Sequence, residues 1–360
     1  MIVVNGRALA LRSEPAGTRP FTFFPSMGEY PVYDDGVYDS FDERDQRFHA
    51  YREAVAARAA GKVVLDIGTG RDALWAVTAA RAGARHVYAV EEQPGTAAQA
   101  SQVVADAGLA DRITVIRGRS TEISLPERAE VCVSEIVGNI ASAEGAVAVL
   151  ADAGKRLCTD DCAWIPFRIQ TWAAAVDLSG QSPVMATESL PYVERIFAAV
   201  GRPFDLRLCL AGPVGDLRIS SVTAVESIVF DGRRDAPASS PATSTASLMV
   251  EVAGARATGL LLWSRIAVTS GSREIDTLAG DTRGWAPVYV PLGLAGVPVR
   301  QGDRLTVALR STTSDDGIHP DYQLVVSAPG GPLTWSSPYR GSGFRRSPLY
   351  EVLFPVTSGF

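Results

Sequence analysis

Four short apolar runs alternate with Ala-rich helical stretches through the first half of the chain, and no other feature constrains the fold as much. KVVLDIG (62–68), HVYAVE (86–91), ITVIRG (113–118) and EVCVSE (130–135) read as strands. Ala73 to Ala82, Thr96 to Ala107 and Gly145 to Leu157 read as helices. Strands that alternate with helices of about ten residues imply βαβ units and a parallel sheet. A further helix precedes the first strand. From Asp39 to Ala60, Phe48, Tyr51, Val55 and Ala59 recur at three- and four-residue spacing with charges between them.

After about Trp164 the texture changes. IQTWAAAV, SLMVEV, GLLLWSRIAV, APVYVPL, DRLTVAL and YQLVVSA are short apolar runs set between Gly, Pro, Asp and Ser. That spacing belongs to an antiparallel β-domain. Residues 235–247, DAPASSPATSTAS, read as a solvated low-complexity loop within it. The expected layout is therefore a Rossmann-like domain over 31–165 and an antiparallel, β-barrel-like domain over 166–360. Residues 1–30 stay unassigned, although MIVVNGRALALR alternates like a strand and Phe21 to Phe24 form an aromatic cluster. A chain of 360 residues suits two domains.

Composition removes several classes of function. With 34 basic against 40 acidic residues, net −6, the chain lacks the basic face that phosphate neutralisation needs, so no nucleic-acid partner is expected. No run approaches the roughly 18 apolar residues of a membrane span. The N-terminus has no basic region followed by an apolar one, so a cytoplasmic location is expected. The four cysteines, Cys132, Cys158, Cys162 and Cys209, are too sparse for a disulfide scaffold, and no histidine near Cys158 and Cys162 completes a metal set. Only three histidines exist, which weakens mechanisms built on a histidine base. His319, before Pro320 in a polar loop, is expected to be exposed.

Asp66-Ile67-Gly68-Thr69-Gly70 stands where a strand ends and a helix begins. Glycines there allow tight turning and close approach of a ligand. Glu91 ends the next strand, 21 positions beyond Gly70, where a carboxylate can accept both hydroxyls of a ribose. Two readings fit. Gly68-Thr69-Gly70-Arg71-Asp72-Ala73 satisfies the dinucleotide fingerprint of an NAD(P)-dependent oxidoreductase. Asp66 at the strand end and the helical preface fit an S-adenosylmethionine site instead.

The next segment separates them. In Val133-Ser134-Glu135-Ile136-Val137-Gly138-Asn139-Ile140-Ala141-Ser142-Ala143-Glu144 two glutamates lie nine positions apart. Here the chain resembles the protein arginine methyltransferases, whose pattern is Ser-Glu-Trp-Met-Gly with a second Glu nine residues after the first. RFHAYREAV, KVVLDIGTG, AGARHVYAVE, ADRITVIRGRSTEISLPE, WIPFRIQTW, GWAPVYVPL and GDRL follow in that family's order. The resemblance runs from about residue 44 to 176 and more loosely to about 310.

The resemblance implies a class I S-adenosylmethionine-dependent methyltransferase with Glu135 and Glu144 as catalytic residues. It implies that Arg47 pairs with the cofactor carboxylate, and that Asp66, Gly68, Gly70, Glu91, Ser120 and Thr121 line the cofactor site. Glu122 could replace Thr121 after a one-residue shift. It places Tyr38, with Tyr33 near it, and Trp285 at the substrate channel. The acceptor would be a peptide, protein or small molecule, and the chain a homodimer, with 191–206 as a short arm.

Physical chemistry supports the same acceptor. A guanidinium is a planar, permanently charged fork of five donors. One glutamate can pair with it bidentately while a second localises charge on the far nitrogen. The remaining alternative is an O- or N-methyltransferase for a non-guanidine acceptor. Ala, Arg and Gly usage resembles a GC-rich bacterial coding sequence, which makes a specialised metabolite as plausible as a housekeeping protein. Three departures stand out. Asp72 replaces a third glycine, Ile136-Val137 replaces Trp-Met, and Thr282-Arg283-Gly284-Trp285 replaces a Thr-His-Trp loop.

Overall fold

A computed structural model of the chain describes residues 2–4, 7–9, 13–14, 20–27, 46–181, 184–186, 206–231, 242–278, 285–292, 296–337 and 339. Its first half is a five-stranded, wholly parallel sheet. Helix α1 (Gln46–Ala59) precedes β1 (Val63–Ile67). Then come α2 (Leu74–Arg81), β2 (His86–Glu91), α3 (Pro94–Asp106) and β3 (Ile113–Arg117). β4 (Ala129–Ser134), α4 (Ala146–Arg156) and β5 (Cys158–Ile165) complete the unit. The spatial order is β3-β2-β1-β4-β5, with every pair parallel. The chain thus reverses direction across the sheet between β1 and β4. Ligands of such sheets bind at that switch point, outside the carboxyl ends of the strands.

The four strands and four helices read from periodicity are all present, with ends within a few residues wherever the chain is described; 39–45, the start of the first expected helix, lies outside the described residues. Every position of β1 is buried, and Asp66 is its one polar residue. Complete burial of Val64, Leu65 and Ile67 stabilises by roughly 1.5–3 kcal/mol each. α1 buries Phe48, Tyr51, Val55 and Ala59 as the spacing requires, and also Arg47. Tyr51 stacks on Trp75 of α2 at 5.3 Å, which fixes α1 against α2. No helix among the described residues is long and apolar enough to cross a membrane.

The second half is mostly antiparallel, with Val184–Ala186 pairing parallel to Ser13–Glu14 and Thr22–Met27. Arg168–Val176 pairs with Thr223–Val229 on one side and Gly259–Ala267 on the other. The sheet continues through Val288–Pro291 and Leu206–Ala211 to Thr22–Met27. So part of the unassigned N-terminal segment is a strand of this sheet. A separate four-stranded sheet runs Ala242–Met249, Arg304–Thr313, Pro320–Ala328, Gly331–Ser337. The two sheets share one core that includes Ala173, Val225, Leu262, Val288, Val307 and Leu324. Among the described residues the ladders do not close into a single barrel.

One expectation is corrected. Within 235–247, expected to be loop, residues 242–247 belong to the strand Ala242–Met249. Among the described residues it is an edge strand paired with Arg304–Thr313, and its exposed residues are Ala242, Thr243, Thr245, Ser247 and Met249. An exposed edge carries little hydrophobic alternation, so its strand character is weak in the sequence. Residues 235–241 lie outside the described residues.

Candidate active site

Two glycines set the turn after β1. Gly68 and Gly70 both have positive φ, 74° and 68°. That conformation is costly for residues with a Cβ. The amides of Gly68 and Thr69 both donate to the Val90 carbonyl, at 2.9 and 3.0 Å. A Cβ on Gly68 would stand 3.3 Å from Ile136 Cγ2, so the glycine also admits the glutamate loop. The third left-handed residue is Ala73, φ 44°, rather than Asp72. Asp72 pairs with Arg71 at 3.2 Å and is half exposed, so its charge faces solvent rather than the turn.

Two carboxylates brace this turn from below. Asp66 Oδ2 accepts from the Thr69 hydroxyl at 2.6 Å and from the Ala76 amide at 3.0 Å. Its Oδ1 is buried and meets no donor among the described residues. Burial pushes the Asp66 pKa up to about 7, against the lowering effect of those two donors. Glu91 Oε2 accepts from Gly70 N at 3.1 Å, and Oε1 from Gln93 N at 2.9 Å. Burial raises its pKa as well. Ser120 follows β3 and is buried, and its carbonyl accepts from Arg156 at 2.7 Å. Thr121 beside it is partly buried, and Glu122 is exposed.

The loop 135–144 leaves β4 at the switch point. Ser134 anchors its start by donating to the Ile67 carbonyl at 3.0 Å. Glu135 Oε1 meets Arg47 Nη1 of α1 at 3.5 Å. The same guanidinium lies over the Trp285 ring, 4.0 Å from its centroid. The Tyr51 hydroxyl is buried nearby, with no hydrogen-bond partner among the described residues. Burial, reinforced by the charge of Glu135, holds its pKa well above the ordinary value. The loop then folds back tightly. A Cβ on Gly138 would stand 3.0 Å from Ala143 Cβ and 3.6 Å from Glu144 Cγ. Strands of the second domain hold the loop, with the Ser264 hydroxyl donating to the Gly138 carbonyl at 2.6 Å and the Asn139 amide to the Ala286 carbonyl.

The structure thus brings Arg47, Glu135 and Trp285 into contact. Asp66, Gly68, Gly70 and Glu91 lie around the neighbouring turn. Glu144 is partly buried at the far end of the loop, beside Gly138. Tyr33, Tyr38 and Thr282, Arg283 and Gly284 lie outside the described residues.

The expectation that His319 is exposed is overturned, since it is 7% exposed. Its Nδ1 pairs with Asp316 Oδ2, and its ring stacks on Tyr339 at 4.0 Å. Burial would raise the Asp316 pKa. The His319 ring, the amides of Ile318 and His319 and the Ser314 hydroxyl instead hold it well below the usual carboxylate range. The ring packs on Gly145, directly after Glu144, with Nε2 3.5 Å from where a Cβ would stand. Sequence reasoning missed this neighbour because it considered His319 alone. The Asp316-Gly317 turn three residues before it was the available signal.

Gly145 therefore carries two constraints, a φ of 82° and a Cβ position 2.5 Å from Ile318 Cγ2. Gly145→Ala is expected to destabilise the fold by about 1–3 kcal/mol through overpacking and backbone strain. A lowered urea midpoint at unchanged slope would show it, and an unchanged midpoint would refute the tight approach.

No family model matches the chain. Among curated proteins it is 33% identical over 193 residues to protein arginine N-methyltransferase 7 of Drosophila persimilis, covering 51% of this chain and 28% of that one. It is 30% identical over 214 residues to protein arginine N-methyltransferase 7 of Rattus norvegicus, covering 55% and 30%. Protein arginine N-methyltransferase 1 of Schizosaccharomyces pombe is 34% identical over 146 residues, covering 39% and 42%. The chain thus spans about 30% of the length of the first two relatives. Two solved structures share its fold. The PRMT1 enzyme–prozyme heterotetrameric complex of Trypanosoma brucei with AdoHcy superposes with a TM-score of 0.66 at 21% identity, covering 84% of this chain and 98% of that one. Protein arginine methyltransferase 10 of Arabidopsis thaliana does so with a TM-score of 0.60 at 21% identity, covering 82% and 95%.

Proposed function

We infer that this chain, which belongs with the protein arginine N-methyltransferases by its sequence, transfers a methyl group from S-adenosylmethionine to a guanidinium or other cationic nitrogen. One observation carries the choice of acceptor. A guanidinium, that of Arg47, already lies against the Glu135 carboxylate at 3.5 Å and over the Trp285 ring, 4.0 Å from its centroid. A carboxylate and an aromatic face set for a planar cation recognise arginine well.

The residues around the glycine turn fit the cofactor. Gly68 and Gly70 leave the turn without side chains. Glu91 keeps lone pairs for ribose hydroxyls after accepting from Gly70 and Gln93. Ser120 and Thr121 would flank the adenine, and Arg47 would pair with the cofactor carboxylate. Bound there, the cofactor supplies an electrophilic methyl on a cationic sulfur. Glu135 fixes the plane of the acceptor, and the charges of Glu135 and Glu144 offset the repulsion between two cations. Alignment of nucleophile and methyl supplies much of the rate. Glu144 takes the proton that the methylated nitrogen releases.

The two sheets of the second half serve as the barrel-like substrate domain, with the acceptor entering between the halves. A peptide, protein or small molecule is the acceptor, in the cytoplasm, and the working unit is a homodimer. The proposed arm, 191–206, begins outside the described residues.

The test is a transfer assay with S-adenosylmethionine against Arg-containing peptides and free guanidines, read by mass spectrometry. Methylated arginine is the expected product. Transfer only to hydroxyl or neutral amine acceptors would overturn the reading. The cofactor half is tested separately. Glu91→Ala removes an acceptor of charge-assisted bonds worth about 1.5–3 kcal/mol. Calorimetry should show S-adenosylhomocysteine affinity falling roughly tenfold or more. An unchanged dissociation constant would sink the ribose assignment.

A further inference from the structure

We propose that Glu226 is a positioning residue for the glutamate loop, holding Glu144 in register with Glu135 through two hydroxyls. The proposal rests on the methyltransferase reading for its kinetic consequence, although its geometry stands without it. Glu226 lies on Thr223–Val229, directly opposite Thr171 in the antiparallel ladder, where the register shifts at Thr171 and Trp172. Both side chains reach residues of the loop 135–144.

With Glu226 ionised, the donors in this cluster run one way. Thr171 has a single hydroxyl proton, which goes to Glu226 Oε2 at 2.7 Å. Its oxygen then accepts from the Ala141 amide at 2.9 Å. Ser142 likewise gives its one proton to Glu226 Oε1 at 2.6 Å. The Tyr322 hydroxyl, 2.6 Å from Ser142 Oγ, must therefore donate to it. In that arrangement both carboxylate oxygens act as acceptors. Burial raises the Glu226 pKa, whereas the two hydroxyls and the charge of Arg207 oppose that. Arg207 lies over the Tyr322 ring at 5.5 Å and donates to Ser337 at 3.1 Å.

The anchored residues are what give the cluster its consequence. Ala141 and Ser142 lie between the two candidate catalytic glutamates, on the arm that carries Glu144. Glu135 is fixed from the other side, one residue beyond the end of β4. The Glu226 cluster thus supports the Glu144 arm beside the anchors at Gly138, Asn139 and Gly145, while the parallel sheet supports Glu135. A misplacement of about 1 Å in a reacting group can cost roughly a hundredfold in rate.

An amide at this position cannot accept from both hydroxyls. Glu226→Gln should therefore lower kcat on an arginine acceptor by about tenfold to a hundredfold. The acceptor KM should change by less than about threefold, because Glu135 still binds the guanidinium. Rates are normalised to S-adenosylhomocysteine binding sites counted by calorimetry, which removes any loss from misfolded protein. Glu226→Asp keeps the charge and should recover part of kcat. Ser142→Ala added to Glu226→Gln should cost little more than Glu226→Gln alone, since both act through one chain of bonds. Hydrogen exchange provides a readout independent of activity, with the Ala141 amide losing protection in Glu226→Gln. If Glu226→Gln does not fold, Ser142→Ala and Tyr322→Phe give the same two measurements. Native kcat per binding site with native protection at Ala141 would overturn the proposal. So would losses that Glu226→Asp fails to recover and that Ser142→Ala deepens independently. If the wild-type protein methylates no guanidine, the functional reading fails, and exchange at Ala141 still decides the role of Glu226.

Discussion

Glu135→Gln should slow methyl transfer by roughly 30- to 1,000-fold, the equivalent of about 2–4 kcal/mol of lost electrostatic stabilisation. The substitution keeps the shape of the side chain. It removes the charge and turns one acceptor oxygen into a donor that faces the donors of a guanidinium. The cleft is partly closed by Trp285 and Arg47, so water replaces the lost contact poorly. Cofactor binding should suffer much less, because the glycine turn and Glu91 lie on neighbouring strands. Glu144→Gln should be at least as damaging, since Glu144 is the proposed proton acceptor. Single-turnover rates at saturating cofactor, alongside calorimetric binding of S-adenosylhomocysteine, separate the two effects. If both variants transfer methyl at the normal rate, the two-glutamate clamp is wrong.

Asp66 should make the protein less stable as pH rises from about 4 to about 7. In the unfolded chain its carboxyl ionises near 3.8, and in the folded protein near 7. Between those values the folded state holds a proton that the unfolded state has released, so stability falls with increasing pH. The full difference is on the order of 4 kcal/mol, since stability falls by about 1.4 kcal/mol for each pH step of one across that window. The contribution is complete below pH 4 and lost above about pH 7. Asp66→Asn cannot ionise and should flatten that part of the profile. Glu91 is shifted the same way, so wild type and Asp66→Asn must be compared across the range. Parallel urea-denaturation profiles from pH 4 to pH 8 would exclude the buried proton.

The parallel sheet was legible in the sequence because its central strands are buried on both faces. β1 shows every position covered, and a run such as VVLDI then has few other readings. The antiparallel half was legible as strands but not as a sheet. Arg168–Val176 pairs with Gly259–Ala267, and Thr22–Met27 with Leu206–Ala211, across separations that local patterning does not encode. Within the site, the two glutamates and the glycine turn could be found because each is a local motif. The burial of His319 depends on Asp316, Tyr339 and Gly145 together, and the role of Glu226 on Thr171, Ser142 and Tyr322. These are products of tertiary packing, and no short window of sequence contains them.

The contact of Arg47 with Glu135 means that this carboxylate does not wait uncompensated. It holds a tethered competitor, which any entering cation must displace. Groups tethered at such short range compete as if present at millimolar concentration or above. Small ammonium ions, offering a single point of charge, cannot match that advantage. A side chain that pairs with two oxygens and covers an aromatic face can. If Glu135 takes a guanidinium acceptor as proposed, selectivity against small cations would be built into the resting state.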